Sequence, residues 1–271
     1  ELAADILRNP TFDEKEVALL QDVAIATIAQ GKTNPATLAG MYIDSVVYEG
    51  HAYGGKPTTA EDVAALTRDD LRDAYERRVR PQDLTLYVVG GIDAELLIST
   101  LNKHFGDWKP AKGDAEVADV MAAVPADRAP RVIVFDVPGA PQSNIVAVQA
   151  IDPPYQEGHD DFGLANVIYG GNFTSRINTN LREEKGWSYG VRSSIDNVAG
   201  PRTWRITAQV QTDKTAQSIT ELLNELRAIN DDRPFAEDEL EKVRNERIRK
   251  LPAVTATTFG ILGYLADNGL Y

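Results

Sequence analysis

NVIYGGNFTSRINTNLREEKGWSYGVRSS, residues 166–194, is the stretch whose reading decides the fold. It predicts a helix running into Gly170-Gly171, a second helix ending in LREEKG, and a strand opening with Tyr189. Gly186 is the natural stop for the second helix, because glycine enters the left-handed backbone region without a Cβ penalty. Arg182 and Tyr189 therefore flank a helix-to-strand corner and can point into one space. A cation and a phenol so placed can donate hydrogen bonds to a carbonyl oxygen as it gains charge, the stabilisation that acyl-transfer chemistry needs. On spacing alone a plainer reading stands ahead, that of an exposed helix-end arginine beside a half-buried strand tyrosine.

Working outward, 271 residues leave room for one large domain or two ordinary ones. An apolar content of 43% is enough for a packed core, and 25% charged residues is average. The formal net charge of −13 argues against a nucleic-acid or anionic-membrane surface, which needs clustered Lys and Arg. With no cysteine there is no disulfide framework, no thiol nucleophile and no cysteine-bound zinc. No uninterrupted apolar run is long enough to span a bilayer. The chain opens with ELAADIL, which reads as the inside of a helix, so a signal peptide upstream of residue 1 stays open.

Helices are predicted over 2–8, 13–30 and 36–48, stopped or started by Asn9-Pro10, Asp13 or Thr11, and Asn34-Pro35. After the loop HAYGGKPTT (51–59) a short helix starts near Glu61, and Thr67 to Asp70 is a capping box opening a helix over 68–78. LTLYVV (84–89) reads as a buried strand, and Asp93 caps a helix over 94–104. From Lys109 to Pro130 the composition turns to Pro, Ala, Asp and Lys without period, the texture of a linker. Strands follow at 131–137 and 143–150, then a helix over 159–169 and the block quoted above. Strands 187–196 and 202–212 form a predicted antiparallel pair around Ala199-Gly200-Pro201. Helices over 214–229, 236–250 and from about Thr255 close the chain.

The block resembles the second, zinc-free half of insulinase/pitrilysin-type metallopeptidases, which carries GG-x-F-x-SR-x…LRE-x-KG-x-x-Y. Here it reads Gly170, Gly171, Phe173, Ser175, Arg176, then Leu181, Arg182, Glu183, Lys185, Gly186 and Tyr189. The resemblance continues weakly through FDEKEV, TNPATLA, HAYG and LYVVGGID in residues 1–108. It implies an α+β fold of two related insulinase-type α/β sandwich domains, each an antiparallel or mixed sheet with helices on one side. Residues 1–108 are then the later part of a first domain, 109–130 a linker, and 131–271 a second domain lacking its C-terminal end, so that both are expected to be truncated.

Arg182 and Tyr189 are implied as the catalytic pair, reaching a substrate held at the other half's zinc; Asn172 and Phe173, at the N-terminal side of the motif helix, are candidate substrate-binding residues of the chamber, with Phe173 as easily read as core. Peptidases of this kind bind zinc through H-x-x-E-H and a later Glu. The three histidines here, His51, His104 and His159, lack a second His at helical spacing. Matching Asn34-Pro35 to the family's corresponding pair puts Thr27 where a catalytic half has Glu, and a neutral hydroxyl is a poor zinc ligand. No metal and no cofactor are therefore expected in this chain, with zinc in a partner half.

The expected function is that of a non-zinc half or subunit of a metallopeptidase. It would complete the substrate chamber and stabilise the scissile carbonyl for peptide hydrolysis, and be inactive alone. The partners implied are a zinc-bearing half, fused or as a heterodimer, and a peptide, and the setting implied by two-subunit bacterial relatives is periplasmic. The alternative is a non-proteolytic structural or binding homologue of the same fold.

Overall fold

The runs read as strands at 143–150, 187–196 and 202–212 pair into one antiparallel sheet in the computed structural model, which describes residues 1–109, 118–124, 129–154 and 156–270. The strands are β1 (Gln142–Ile151), β2 (Ser188–Ile195) and β3 (Arg202–Gln211), in spatial order β1-β3-β2. β1 and β3 run in unbroken register from Gln142 opposite Gln211 to Ile151 opposite Arg202. Val191 on β2 and Ile206, Ala208 and Val210 on β3 turn to one face and are buried there. Tyr169, Ile177, Leu181 and Leu222 pack over that face and complete the core, with Trp187 and Trp204 at its margin.

The helices are α1 (Leu2–Arg8), α2 (Glu14–Gly31), α3 (Pro35–Val47), α4 (Ala60–Ala65), α5 (Arg68–Arg78), α6 (Ala94–Phe105), α7 (His159–Asn166), α8 (Arg176–Asn178), α9 (Thr215–Asn230), α10 (Glu237–Thr255) and α11 (Thr258–Leu270). Their starts follow local chemistry. Asp13 Oδ1 accepts from the Lys15 and Glu16 amides, Asn34 Oδ1 from Ala36 and Thr37, and Asp93 from Leu96. Thr67 and Asp70 form the expected capping box, and Thr59 with Asp62 forms a second one ahead of α4.

The chain divides into two compact units. One comprises 1–28, 58–118 and 252–271, the other 29–57 and 119–251. In the first, Gln21 donates to the carbonyls of Val63 and Leu66, tying α2 to α4, and Arg8 pairs with Asp107 at 2.8 Å. Its buried apolar residues, among those described, are Ala4, Val17 and Val63. The second holds the sheet and its core. Much of the predicted linker 109–130 lies outside the described residues.

Two expected strands are corrected. Residues 84–89 and 131–137 belong to no ladder among the described residues. A strand exists only through a neighbour's hydrogen bonds, and alternating apolar character does not provide that neighbour. Leu84, Leu86 and Val88 are exposed, as are Val132 and Val134. The segment 131–137 is instead held alongside α3, where Arg131 donates to the Val46 carbonyl and Phe135 packs on Tyr42.

Gly170 sets how closely helix and sheet approach. A Cβ there would stand 2.4 Å from Ser193 Oγ, 2.5 Å from Ile177 Cδ1 and 2.8 Å from the Ser193 backbone nitrogen. Gly170→Ala is therefore expected to destabilise the fold by about 1–3 kcal/mol through overpacking, read as a lowered urea midpoint at unchanged slope.

Arg176 fixes α8 to the start of α10. Its Nε and Nη2 bond Glu239 at 2.9 and 2.5 Å, its Nη1 donates to the Arg233 carbonyl, and its guanidinium covers Phe235. The Arg176 hydrogen bond holds the Glu239 carboxyl below the usual carboxylate range. Because the folded-state pKa is depressed, this stabilisation is complete above the ordinary carboxylate range and lost as pH falls through the lowered value. Glu239→Gln should therefore lower stability at pH 7 by about 1–2 kcal/mol and flatten the decline of stability below about pH 4, both measurable in urea titrations.

Candidate functional site

The quoted block folds as a helix interrupted twice. α7 ends at Asn166, and Val167–Gly171 continues as a wide turn with i to i+5 bonding. After α8, Thr179–Glu184 is wide again. The second wide turn ends as expected at Gly186, whose φ of +65° suits glycine. The amides of Lys185 and Trp187 bond back to the carbonyls of Asn180 and Leu181, closing the corner that leads into β2.

Arg182 lies in the second wide turn, with its side chain one-third exposed. Its guanidinium carbon stands 4.2 Å from the centre of the Phe173 ring, a cation–π stack. Glu183 Oε1 lies 3.2 Å from Nη1, yet Nη1 makes no hydrogen bond among the described residues, so this is an ion pair without hydrogen-bond alignment. Tyr189 stands on β2 and is 89% exposed, neither half-buried nor bonded to any described residue. The fold thus joins Arg182 to Phe173 by direct contact. It brings Tyr189 to the adjoining strand without a contact to either.

Phe173 itself is exposed rather than part of the core. Asn172 is half-buried; its side-chain oxygen accepts from Thr174 Oγ1 at 3.3 Å and its carbonyl from the Ser175 amide. The arrangement offers a guanidinium and a phenol as hydrogen-bond donors beside an apolar ring.

Several residues of this site carry no signal in the sequence reading. Asn178 is buried between the Phe173 carbonyl, to which its Nδ2 donates at 2.6 Å, and the Val191 amide, which donates to its Oδ1 at 2.9 Å. Asn166 Oδ1 accepts from both Ser193 Oγ and Trp204 Nε1, pinning the end of α7 to the sheet. Asn180 donates to Glu225 and Glu221 of α9. A run of Asn at 166, 172, 178 and 180 inside a helical block of low helix propensity was the available hint.

No group of three or more His, Asp and Glu side chains among the described residues could hold a metal ion. Thr27 turns its hydroxyl back onto the Val23 carbonyl of its own helix. His51 packs between Tyr48 and Tyr53 and accepts from the Tyr53 amide. No helix of the described residues is long and apolar enough to cross a membrane.

Comparison with known proteins agrees with this architecture. An uncharacterized zinc protease of Rickettsia felis is 23% identical over 231 residues, which are 83% of this chain and 53% of that protein. This chain spans about half the length of the curated relatives it matches. A protease from Helicobacter pylori has the same fold, with a TM-score of 0.88 at 15% identity over 100% of this chain and 66% of that one. The periplasmic protease PqqL from Escherichia coli superposes with a TM-score of 0.68 at 18% identity, over 99% of this chain and 30% of that chain. The peptidase M16 inactive domain matches residues 65–247, which include the whole Arg182 and Tyr189 corner, and the chain belongs to that family.

Proposed function

We propose that this chain is the non-zinc half, or part of it, of an insulinase-type peptidase, and that Arg182 and Tyr189 stabilise the scissile carbonyl of a bound peptide. The observation that carries this reading is the uncommitted state of the two donors. Arg176, six residues before Arg182, is bound on every side, whereas among the described residues no hydrogen bond is made by the one-third exposed side chain of Arg182, whose buried Nη1 faces Glu183, or by the phenol of Tyr189, which is 89% exposed. Stacking on Phe173 fixes the guanidinium plane of a side chain that is one-third exposed, which lowers the entropy lost when a carbonyl oxygen is bound. Donors that are already oriented act on charge as it develops and gain little in the ground state.

The metal chemistry belongs to the zinc-bearing half, supplied by the same polypeptide or in trans. This chain binds the peptide, with Asn172 and Phe173 on the wall of the chamber, and polarises the carbonyl. In the reading proposed here, residues 1–108 belong to one insulinase-type domain and 131–271 to the next, joined by 109–130. A periplasmic setting is proposed with it, supported by the likeness to a periplasmic protease.

The test is Tyr189→Phe in the assembled enzyme, made from the complete natural gene product with its zinc-bearing half. Loss of one oriented donor should lower kcat by about 10²-fold with KM little changed. Thermal stability should be unaltered, since Tyr189 is 89% exposed and its hydroxyl makes no hydrogen bond among the described residues. Wild-type kcat in the variant would overturn the role of Tyr189, and no peptide hydrolysis by the unaltered assembled protein would favour a structural or binding homologue instead.

A further inference from the structure

The strand that carries Tyr189 changes face just before that residue is shown to solvent. Val191 and Ser193 of β2 point into the core, at 0% and 4% exposure. A period of two would put Tyr189 on the same buried face. The ladder is irregular here: Ser188 pairs with Val210 and Val191 with Ala208, so Tyr189 and Gly190 stand opposite Gln209 alone. One extra residue in β2 resets the alternation. Ser188 turns inward and Tyr189 outward.

An inserted residue leaves backbone amides without ladder partners, and buried amides must find others. Ser188 serves the Gly190 amide inside the bulge, and Asn178 serves the Val191 amide beside it on this edge strand. Ser188 Oγ accepts from the Gly190 amide at 3.1 Å and donates to the Gln209 carbonyl at 2.6 Å. Asn178 Oδ1 accepts from the Val191 amide, and the same amide group reaches the Phe173 carbonyl through Nδ2. Asn178 therefore spans from the bulge to the residue on which Arg182 stacks.

We infer that Ser188 and Asn178 are positioning residues. They hold the bulge that turns the Tyr189 phenol out of the core, and Asn178 couples that bulge to the Phe173 ring beneath Arg182. The inference rests on the proposed role of Arg182 and Tyr189 for its catalytic meaning, but its structural content stands apart from that role.

The experiment labels the full chain with 3-fluorotyrosine and assigns the Tyr189 fluorine line by its loss in Tyr189→Phe. In the unaltered chain this line should show the full H2O/D2O solvent shift of an exposed ring. Asn178→Ala and Ser188→Ala should each reduce that shift or split the line, while the line of core Tyr169 stays in place. Ser188→Thr, which keeps the hydroxyl, should restore the Tyr189 line.

The inference is overturned if the Tyr189 line is unchanged in both alanine variants. It is equally overturned if the Tyr169 line moves with it, or if Ser188→Thr behaves as Ser188→Ala. Should Asn178→Ala not fold, Ser188→Ala with its threonine control decides alone. In the assembled enzyme the same variants are expected to lower kcat at least tenfold with KM within twofold. A displaced Tyr189 line with unchanged kcat would uphold the positioning role and refute the catalytic role of Tyr189.

Discussion

The arrangement around Arg182 and Tyr189 depends on one close approach, that of the backbone at Gly170 to Ser193 of β2. Only a residue without Cβ permits it, and the wide turn at Val167–Gly171 brings the chain to that point. With the approach made, Asn166 reaches Ser193 and Trp204, Ile177 and Leu181 fill the core, and the segment 172–184 is laid across the sheet. Asn166 and Asn178 each bond two fixed partners at this interface, which favours one seating of the block over others. A helix of regular pitch would carry residues 176–184 past the sheet on a different phase. The two wide turns are how the corner is aimed.

Polar side chains divide the labour within the block. Arg176 is spent on structure: its guanidinium is filled by a carboxylate, backbone carbonyls and a ring face. Arg182 has a ring beneath it and an off-axis carboxylate beside it. The same residue type is thus fully hydrogen-bonded in one place and only stacked and ion-paired in the other. Burial and partner count separate them, and sequence position does not.

Features fixed by local chemistry were legible in the sequence. The caps at Asn34, Thr67 and Asp93, the stop at Gly186 and the β2–β3 pairing all follow from residues within a few positions of one another. The Arg182 and Tyr189 corner was legible in outline because a helix stop and a strand start bracket it. What escaped was whatever depends on a distant partner. Asn178 reads as an ordinary polar helix residue until Phe173 and Val191 are placed around it. The Tyr-Gly pair of β2 hinted at a bulge, since glycine inside a strand often marks one; only the register against β3 reveals the change of face. Residues 84–89 and 131–137 have the composition of strands but no ladder among the described residues, because pairing is a property of two segments.

The segment 131–137 has a further consequence for how copies of the chain behave toward each other. Val132 and Val134 are 91% and 82% exposed, on a stretch whose backbone belongs to no ladder among the described residues. Such a stretch is a template on which a like segment can add. Against this stands a net charge of −13, which repels a second copy over about 10 Å in 0.1 M salt and over much less in 1 M. The like-charge repulsion that opposes such an addition therefore weakens as ionic strength rises, while the exposed valines are unaffected by salt screening.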